Sequence, residues 1–143
     1  MKKTNSILRN KTLIIGCGRL GASIANKCVS EGKNIVVVDK DESAFELLSD
    51  RFSGYTFPGD VTDLQVLEQA YIKTAKEVII TTGEDNVNIF IAHIARIIYD
   101  VPHIYVRLED PQLEILLKGL DIDAIYPFEL SYDKFNLMRG GKK

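Results

Sequence analysis

The glycines at 16, 18 and 21 stand in the order GCGRLG, and Asp39 follows at the end of the next apolar run. These residue types at this spacing suit the binding of a nucleotide. Gly16 permits a tight turn, Gly18 lets the backbone approach a phosphate with no Cβ in the way, and Gly21 lets the following helix pack closely. A helix starting near Arg19 presents unpaired N–H groups and a positive dipole end to an anion. The Arg19 guanidinium can in addition bond a diphosphate bidentately. Asp39 lies about 20 residues beyond the loop, where a carboxylate accepts both hydroxyls of an adenosine ribose. It favours a free 2′-hydroxyl, hence NAD over NADP, although Lys40 beside it weakens that exclusion. ATP, ADP and AMP suit it equally, because it reads the ribose and nothing beyond.

Further polar residues fall where strands are expected to end. Asp60 closes the third strand on the edge where an adenine would sit, and a turn role for Gly59-Asp60 competes with that reading. Thr81, Thr82 and Gly83 end the fourth strand, opposite the glycine loop. Asp85 serves as a helix cap. Arg107 ends the fifth strand and Glu129 follows the sixth, so a cation and a carboxylate can reach the same crevice. His93 and His103 have no evident carboxylate partner and read as structural. No nucleophile stands at readable spacing from a base, and no second carboxylate pair or zinc pattern is present. Cys17 and Cys28 form neither a metal motif nor a disulfide framework.

The elements that would position these groups alternate in type. Strands are expected at about 12–15, 35–38, 55–57, 77–81, 103–107 and 124–126. A helix over 19–30 carries Leu20, Ile24 and Cys28 on one stripe and stops at Gly32. A helix capped by Asp41 or Ser43 would bury Ala44, Leu47, Leu48 and Phe52. Thr62 and Gln65 have capping-box spacing, with Leu64, Leu67 and Tyr71 on the buried face. Asp110 and Pro111 open a helix burying Leu113, Leu116, Leu117 and Leu120, and a last helical piece runs over 130–138. The helix from Asp85 to Tyr99 is apolar nearly all round, so its outer side needs cover. A second subunit or the C-terminal segment can supply it. Strands alternating with helices imply an α/β fold with a doubly wound, parallel, six-stranded, Rossmann-like sheet.

Length and composition agree with one domain. The chain has 143 residues, 45% of them hydrophobic, enough for a single core. One domain is expected over 11–138, between a flexible lead-in at 1–10 and a flexible tail at 139–143. The net charge of −2 gives no global basic field, so nucleic acid is not an expected partner. The basic residues Lys2, Lys3, Arg9, Lys11, Lys142 and Lys143 read as parts of solvated ends. No apolar run approaches the roughly 20 residues needed to span a bilayer, and the N-terminus lacks a signal-peptide core. A cytoplasmic location is expected.

Taken together, GCGRLG, Asp39, GDVTD at 59–63, TTGEDNVN at 81–88, YVRLEDP at 105–111 and the strand leading to Glu129 resemble the RCK N-terminal domain. This is the TrkA/KTN-type regulatory domain of potassium transporters and channels, and the resemblance covers about 12–137. It implies a domain that binds NAD(H), ATP or ADP and forms dimers or larger rings on the inner face of a membrane potassium-translocating subunit. Nucleotide exchange there would gate K⁺ flux. By position, it implies phosphate contacts from Gly16, Cys17, Gly18, Arg19, Leu20 and Gly21, and ribose binding by Asp39 with Lys40 beside it. It also implies adenine contacts at Asp60 and Val61, further contacts at Thr82, Gly83 and Arg107, and a divalent cation between subunits at Glu129. Pro127 stands one place earlier than the family's usual proline. The C-terminal ligand-binding domain often fused to this one does not follow, so a stand-alone domain and a fragment are both expected forms. The alternative function is a subunit of an NAD-dependent oxidoreductase whose catalytic part is on another chain. A redox sensor acting through Cys17 is a more distant one.

Overall fold

The computed structural model describes residues 8–141. Six strands, β1 (Lys11–Ile15), β2 (Asn34–Asp39), β3 (Tyr55–Pro58), β4 (Ala75–Ile80), β5 (His103–Arg107) and β6 (Asp123–Ile125), form one sheet. Every pairing is parallel and the order is β3-β2-β1-β4-β5-β6. Strand alternation divides the apolar residues between two cores. Leu13, Ile15, Val36, Val38, Val78, Ile80, Ile104 and Val106 face one, while Ile14, Ile35, Val37 and Ile79 face the other. Both faces of the central strands are covered, which is why their sequences are continuous apolar runs. Helix α1 (Arg19–Ser30) lies over the second core. Helices α2 (Leu64–Gln69) and α3 (Asp85–His93) lie over the first. The fold is the doubly wound parallel sheet expected from the sequence.

The chain leaves the sheet centre in opposite directions from β1 and β4, whose ends Ile15 and Ile80 are in register. At such a switch point the loops beyond the carboxyl ends part and leave a crevice.

Several local expectations are corrected. On α1 the buried residues are Gly21, Ala22, Ala25 and Cys28, while Leu20 is 36% exposed. Of the expected stripe, Cys28 is buried and Ile24 packs partly buried on the same core, while Leu20 points away; the small Gly21, Ala22 and Ala25 let the helix approach the strands. Residues Glu42–Leu47 form a 3₁₀ helix, capped by the Asp41 carboxylate accepting from the Ser43 N–H. Phe45 packs inward there and Leu47 is exposed. Thr62 and Gln65 make no capping box: Asp63 caps α2 through the Gln65 N–H, and Thr62 bonds Asp60. Tyr71 sits outside, in a left-handed turn with φ 72°. Residues Pro111–Leu117 are also 3₁₀ rather than α, with Asp110 as cap, Leu117 buried and Leu116 exposed.

Two further corrections concern the ends. The Arg9 guanidinium donates to the carbonyls of Ala75 (3.1 Å) and Tyr99 (2.8 Å), so it does not belong to a solvated tail. Helix α4 (Pro127–Gly140) starts before the expected 130, runs past 138 and buries none of its residues. Residues 1–7 and 142–143, the rest of the expected lead-in and tail, lie outside the described residues.

The apolar helix from Asp85 is α-helical to His93 and continues as a π turn over Ile94–Ile98. Its inner side buries Ile91, Ala92, Ile94 and Ala95, while Phe90, Ile97 and Ile98 are exposed. The 3₁₀ segment covers part of the outer side, where the Nε2 atom of His93 lies 2.6 Å from the carbonyl of Leu116. Among the described residues no helix is long and apolar enough to cross a membrane.

Candidate nucleotide-binding cleft

The three glycines of the loop do different physical work. Gly16 has φ +100°, and a Cβ there would lie 2.8 Å from the main chain of Thr81 and Thr82. It is thus both the turn off β1 and the closest approach of that turn to the end of β4. A Cβ at Gly21 would fall 2.0 Å from the Gly16 carbonyl oxygen, so α1 can pack against the loop only with glycine at this position. At Gly18 a Cβ would meet nothing within 4 Å. That open side faces a cleft of about 310 Å³, which Gly18 lines together with Gly16.

Gly18 is also the residue from which α1 begins. No side chain caps the helix, and its first turn carries no acid. The first intrahelical bond runs from Ala22 N–H to Gly18 O. The N–H groups of Arg19, Leu20 and Gly21 therefore lack intrahelical acceptors, as at any helix start. Such a terminus attracts an anion. Arg19 and Leu20 are exposed at its mouth and Gly21 is buried beneath it; none of the three lines the cleft itself.

Asp39 closes β2 on the opposite wall and does line the cleft, as does Lys40. Its Oδ2 accepts from the Cys17 N–H at 2.8 Å and its Oδ1 from the Asp41 N–H at 2.9 Å. The carboxylate thereby joins the glycine loop to the end of β2. Cys17 contributes this N–H, but its side chain is fully buried in the α1-side core. Burial, and then the Asp39 charge, push its thiol pKa up. A thiol so held is a poor nucleophile and a poor redox sensor.

Asp60 and Val61 form the wall beyond β3. The Thr62 hydroxyl at 2.7 Å and the Thr62 N–H at 2.9 Å hold the Asp60 carboxyl below its usual range, so it stays ionised. Thr82, Gly83 and Arg107 complete the far side, with Thr81, Glu84 and Val87 beside them. Thr81 is buried and donates through its hydroxyl to Gly16 O at 3.0 Å, bonding β4 to the turn after β1. The Arg107 guanidinium meets the Glu109 carboxylate at 2.5 Å.

Asn88 was not foreseen, and it organises this side. It is buried, and its Nδ2 donates to the carbonyls of Arg107 (2.8 Å) and Thr82 (3.1 Å). Its Oδ1 accepts from the N–H and the hydroxyl of Thr82. One amide thus ties the ends of β4 and β5 together from the first turns of α3. Asp85 is not the cap it was expected to be. Its two oxygens accept from Glu109 N–H (2.9 Å) and Asp110 N–H (3.0 Å), fixing the loop after β5. The only sequence signal for either residue was their place in the polar stretch after β4.

Glu129 stands exposed in the first turn of α4 and does not line the cleft. Among the described residues no group of three or more His, Cys, Asp or Glu side chains could hold a metal ion. The structure brings the glycine loop, Asp39, Asp60, Thr82 and Arg107 to one crevice, and leaves Glu129 outside it.

Comparison with known proteins places this geometry. The family model of the TrkA-N domain matches residues 12–127. The Trk system potassium uptake protein TrkA of Streptomyces coelicolor is 30% identical over 113 residues, which is 79% of this chain and 51% of that protein. The chain spans about half the length of the curated relatives it matches. Among solved structures, the TrkA-N domain of the inner membrane protein ybaL from Escherichia coli has a TM-score of 0.77 at 19% identity, covering 91% of this chain and 97% of that one. The GsuK structure bound to ADP has a TM-score of 0.77 at 26% identity, over 93% and 35% of the two chains. The GsuK channel bound to NAD has a TM-score of 0.69 at 20% identity, over 85% and 22%. With the family model spanning most of its length, the chain belongs to the TrkA-N domain family.

Proposed function

We propose that this domain binds an adenine nucleotide in the cleft, NAD(H) first and ATP, ADP or AMP as the alternatives. In this reading its occupancy regulates a potassium-translocating membrane subunit on the cytoplasmic side, and the domain catalyses no reaction itself. One observation carries the binding reading. Gly18, from which the uncapped α1 begins, and Asp39 both line one cleft, with the helix start at its mouth. A phosphate fits Gly18 and the helix start, and a ribose diol fits Asp39. By position, Gly16 to Gly21 with Arg19 would take the phosphates, Asp39 and Lys40 the ribose, and Asp60 and Val61 the adenine. Thr82, Gly83 and Arg107 would meet the remainder. ADP and NAD in the GsuK structures and the potassium-uptake relatives support the ligand class and the role.

Regulation requires that ligand-bound and ligand-free states differ elsewhere on the surface. The bonds of α3 supply a route. Near the cleft, Asn88 and Asp85 hold the carbonyl of Arg107 and the N–H groups of Glu109 and Asp110. At the far end Arg96 donates to the carbonyls of Leu120 and Asp121. A shift at Arg107 would carry the whole segment up to β6 and α4. The exposed Phe128, Leu130, Phe135 and Leu137 on α4, with Phe90 on α3 and Ile97 and Ile98 on the π turn that continues it, suit burial against a second copy in a dimer or ring.

The deciding experiment is thermal denaturation with NAD⁺, NADH, ATP, ADP and AMP. A ligand at 100 times its Kd stabilises by about 2.7 kcal/mol. Gly18→Val is the matched control, since Gly18 lines the cleft and a Cβ there meets nothing within 4 Å. A shift in the parent that is absent in the variant is the expected result. No shift with any nucleotide would refute the binding reading. Unchanged K⁺ uptake in cells lacking this protein would refute the transport role.

A further inference from the structure

Resting on the nucleotide reading, the structure assigns Glu109 as a specificity-determining residue: it pairs with Arg107 and so disfavours a nucleoside triphosphate relative to ligands that bring no terminal phosphate to Arg107. The contact is the 2.5 Å pair between the Arg107 guanidinium, which lines the cleft, and the Glu109 carboxylate. Both residues are held through their main chains. Asn88 Nδ2 grips the Arg107 carbonyl at 2.8 Å, and Asp85 grips the Glu109 N–H at 2.9 Å. The two side chains project from main-chain points fixed to the first turns of α3, which keeps them within reach of one another.

The charges around the cleft sharpen the effect. Its lining carries Lys40 and Arg107 against Asp39, Asp60 and Glu84. Pairing with Glu109 cancels much of the positive charge that Arg107 would offer an anion. At the other end of the crevice, the α1 terminus and Arg19 remain for a phosphate. A ligand with no phosphate beyond a diphosphate at α1, such as AMP, ADP or NAD⁺, makes no demand on the Arg107 charge. ATP, whose third phosphate extends toward β5, must displace a carboxylate from Arg107 before binding it. Glu109 is half exposed, so it can rotate into water when displaced.

The test is Glu109→Gln, a substitution at an exposed side chain, with Kd values measured by calorimetry for ATP, ADP, AMP and NAD⁺ at low and at physiological salt. Affinity for ATP should rise about fivefold at low salt, with the gain shrinking as salt screens Arg107. Affinity for ADP, AMP and NAD⁺ should change less than about twofold on the same grounds. Arg107→Gln should abolish the preference that Glu109→Gln creates. Equal changes for all four ligands, or none, would overturn the assignment while leaving the cleft reading intact. Parent protein that binds none of them would overturn both.

Discussion

The main-chain N–H of Cys17 donates to the Asp39 carboxylate at 2.8 Å, so the acid proposed to bind the ribose also holds the glycine loop against β2. The other oxygen of Asp39 accepts from the Asp41 N–H. Loss of both charge-assisted bonds in Asp39→Ala should destabilise the nucleotide-free domain by about 1–3 kcal/mol. Asp39→Asn keeps one acceptor and should cost less. Urea denaturation without ligand measures this, and an unchanged midpoint in Asp39→Ala would show that the loop does not depend on the acid. Lost nucleotide binding in that variant therefore mixes two effects, and Gly18→Val is the cleaner probe.

The loop glycines should separate by mechanism. Gly21→Ala drives a Cβ to 2.0 Å from a main-chain oxygen that cannot rotate away. Gly16→Ala combines a φ of +100° with 2.8 Å contacts to the β4 backbone. Both should lower stability by at least about 2–3 kcal/mol. Gly18→Ala has open space and an ordinary φ, and should leave the melting temperature within about two degrees. A ranking with Gly18→Ala as the worst of the three would refute this division of roles.

The parts of this structure legible in the sequence are those with a local cause. The apolar runs of β1, β2 and β4 and the glycine loop between them locate the sheet centre, and the switch point follows from topology. The segments at Glu42 and Pro111 are 3₁₀ where an α-helix is expected, because apolar spacings of three and four suit a short 3₁₀ turn as well as an α-helix. On α1 the apolar spacing locates Cys28 and Ile24 but not the small residues Gly21, Ala22 and Ala25, which close packing selects in place of Leu20. Within the cleft, the glycines, Asp39 and Arg107 announce themselves by type and strand end. Asn88 and Asp85 do not, because their partners lie on β5 and the loop after it. A helical asparagine reads as a surface residue until the sheet brings those carbonyls to it.

Asn88 is accordingly the residue whose loss should loosen the cleft most. Asn88→Ala strips partners from the buried carbonyls of Thr82 and Arg107 and from the Thr82 N–H. A cost of about 2–4 kcal/mol is expected, the sum of unsatisfied buried groups less whatever water recovers. Asn88→Asp turns the two donors into a carboxylate facing two carbonyls and should cost at least as much. Hydrogen exchange should localise the damage, with faster exchange at the ends of β4 and β5 and little change in β2. Uniform acceleration across the sheet would mean that Asn88 supports global stability and has no special part in the cleft.

Away from the cleft, the Tyr99 hydroxyl donates to Glu68 at 2.6 Å, tying the end of the π turn after α3 to α2, and this bond should give stability a pH signature. The Tyr99 hydrogen bond, outweighing the smaller opposing effect of desolvation, holds the Glu68 carboxyl below its usual 4.5. Burial, with Glu68 adding to it, pushes Tyr99 from 10.0 up to about 12. For Glu68 the folded state favours the ionised form, so its contribution is present above pH 4.5 and is lost as pH falls through the depressed value. For Tyr99 the folded state favours the neutral phenol, so its contribution is complete below pH 10 and is lost as pH rises toward 12. The stability advantage of the parent over Tyr99→Phe should therefore form a plateau between these limits and narrow at both ends. Denaturant midpoints of the two proteins across that range test it. A difference that stays constant from pH 4 to pH 11 would show that the phenol packs as a phenyl ring does and that its bond to Glu68 contributes nothing.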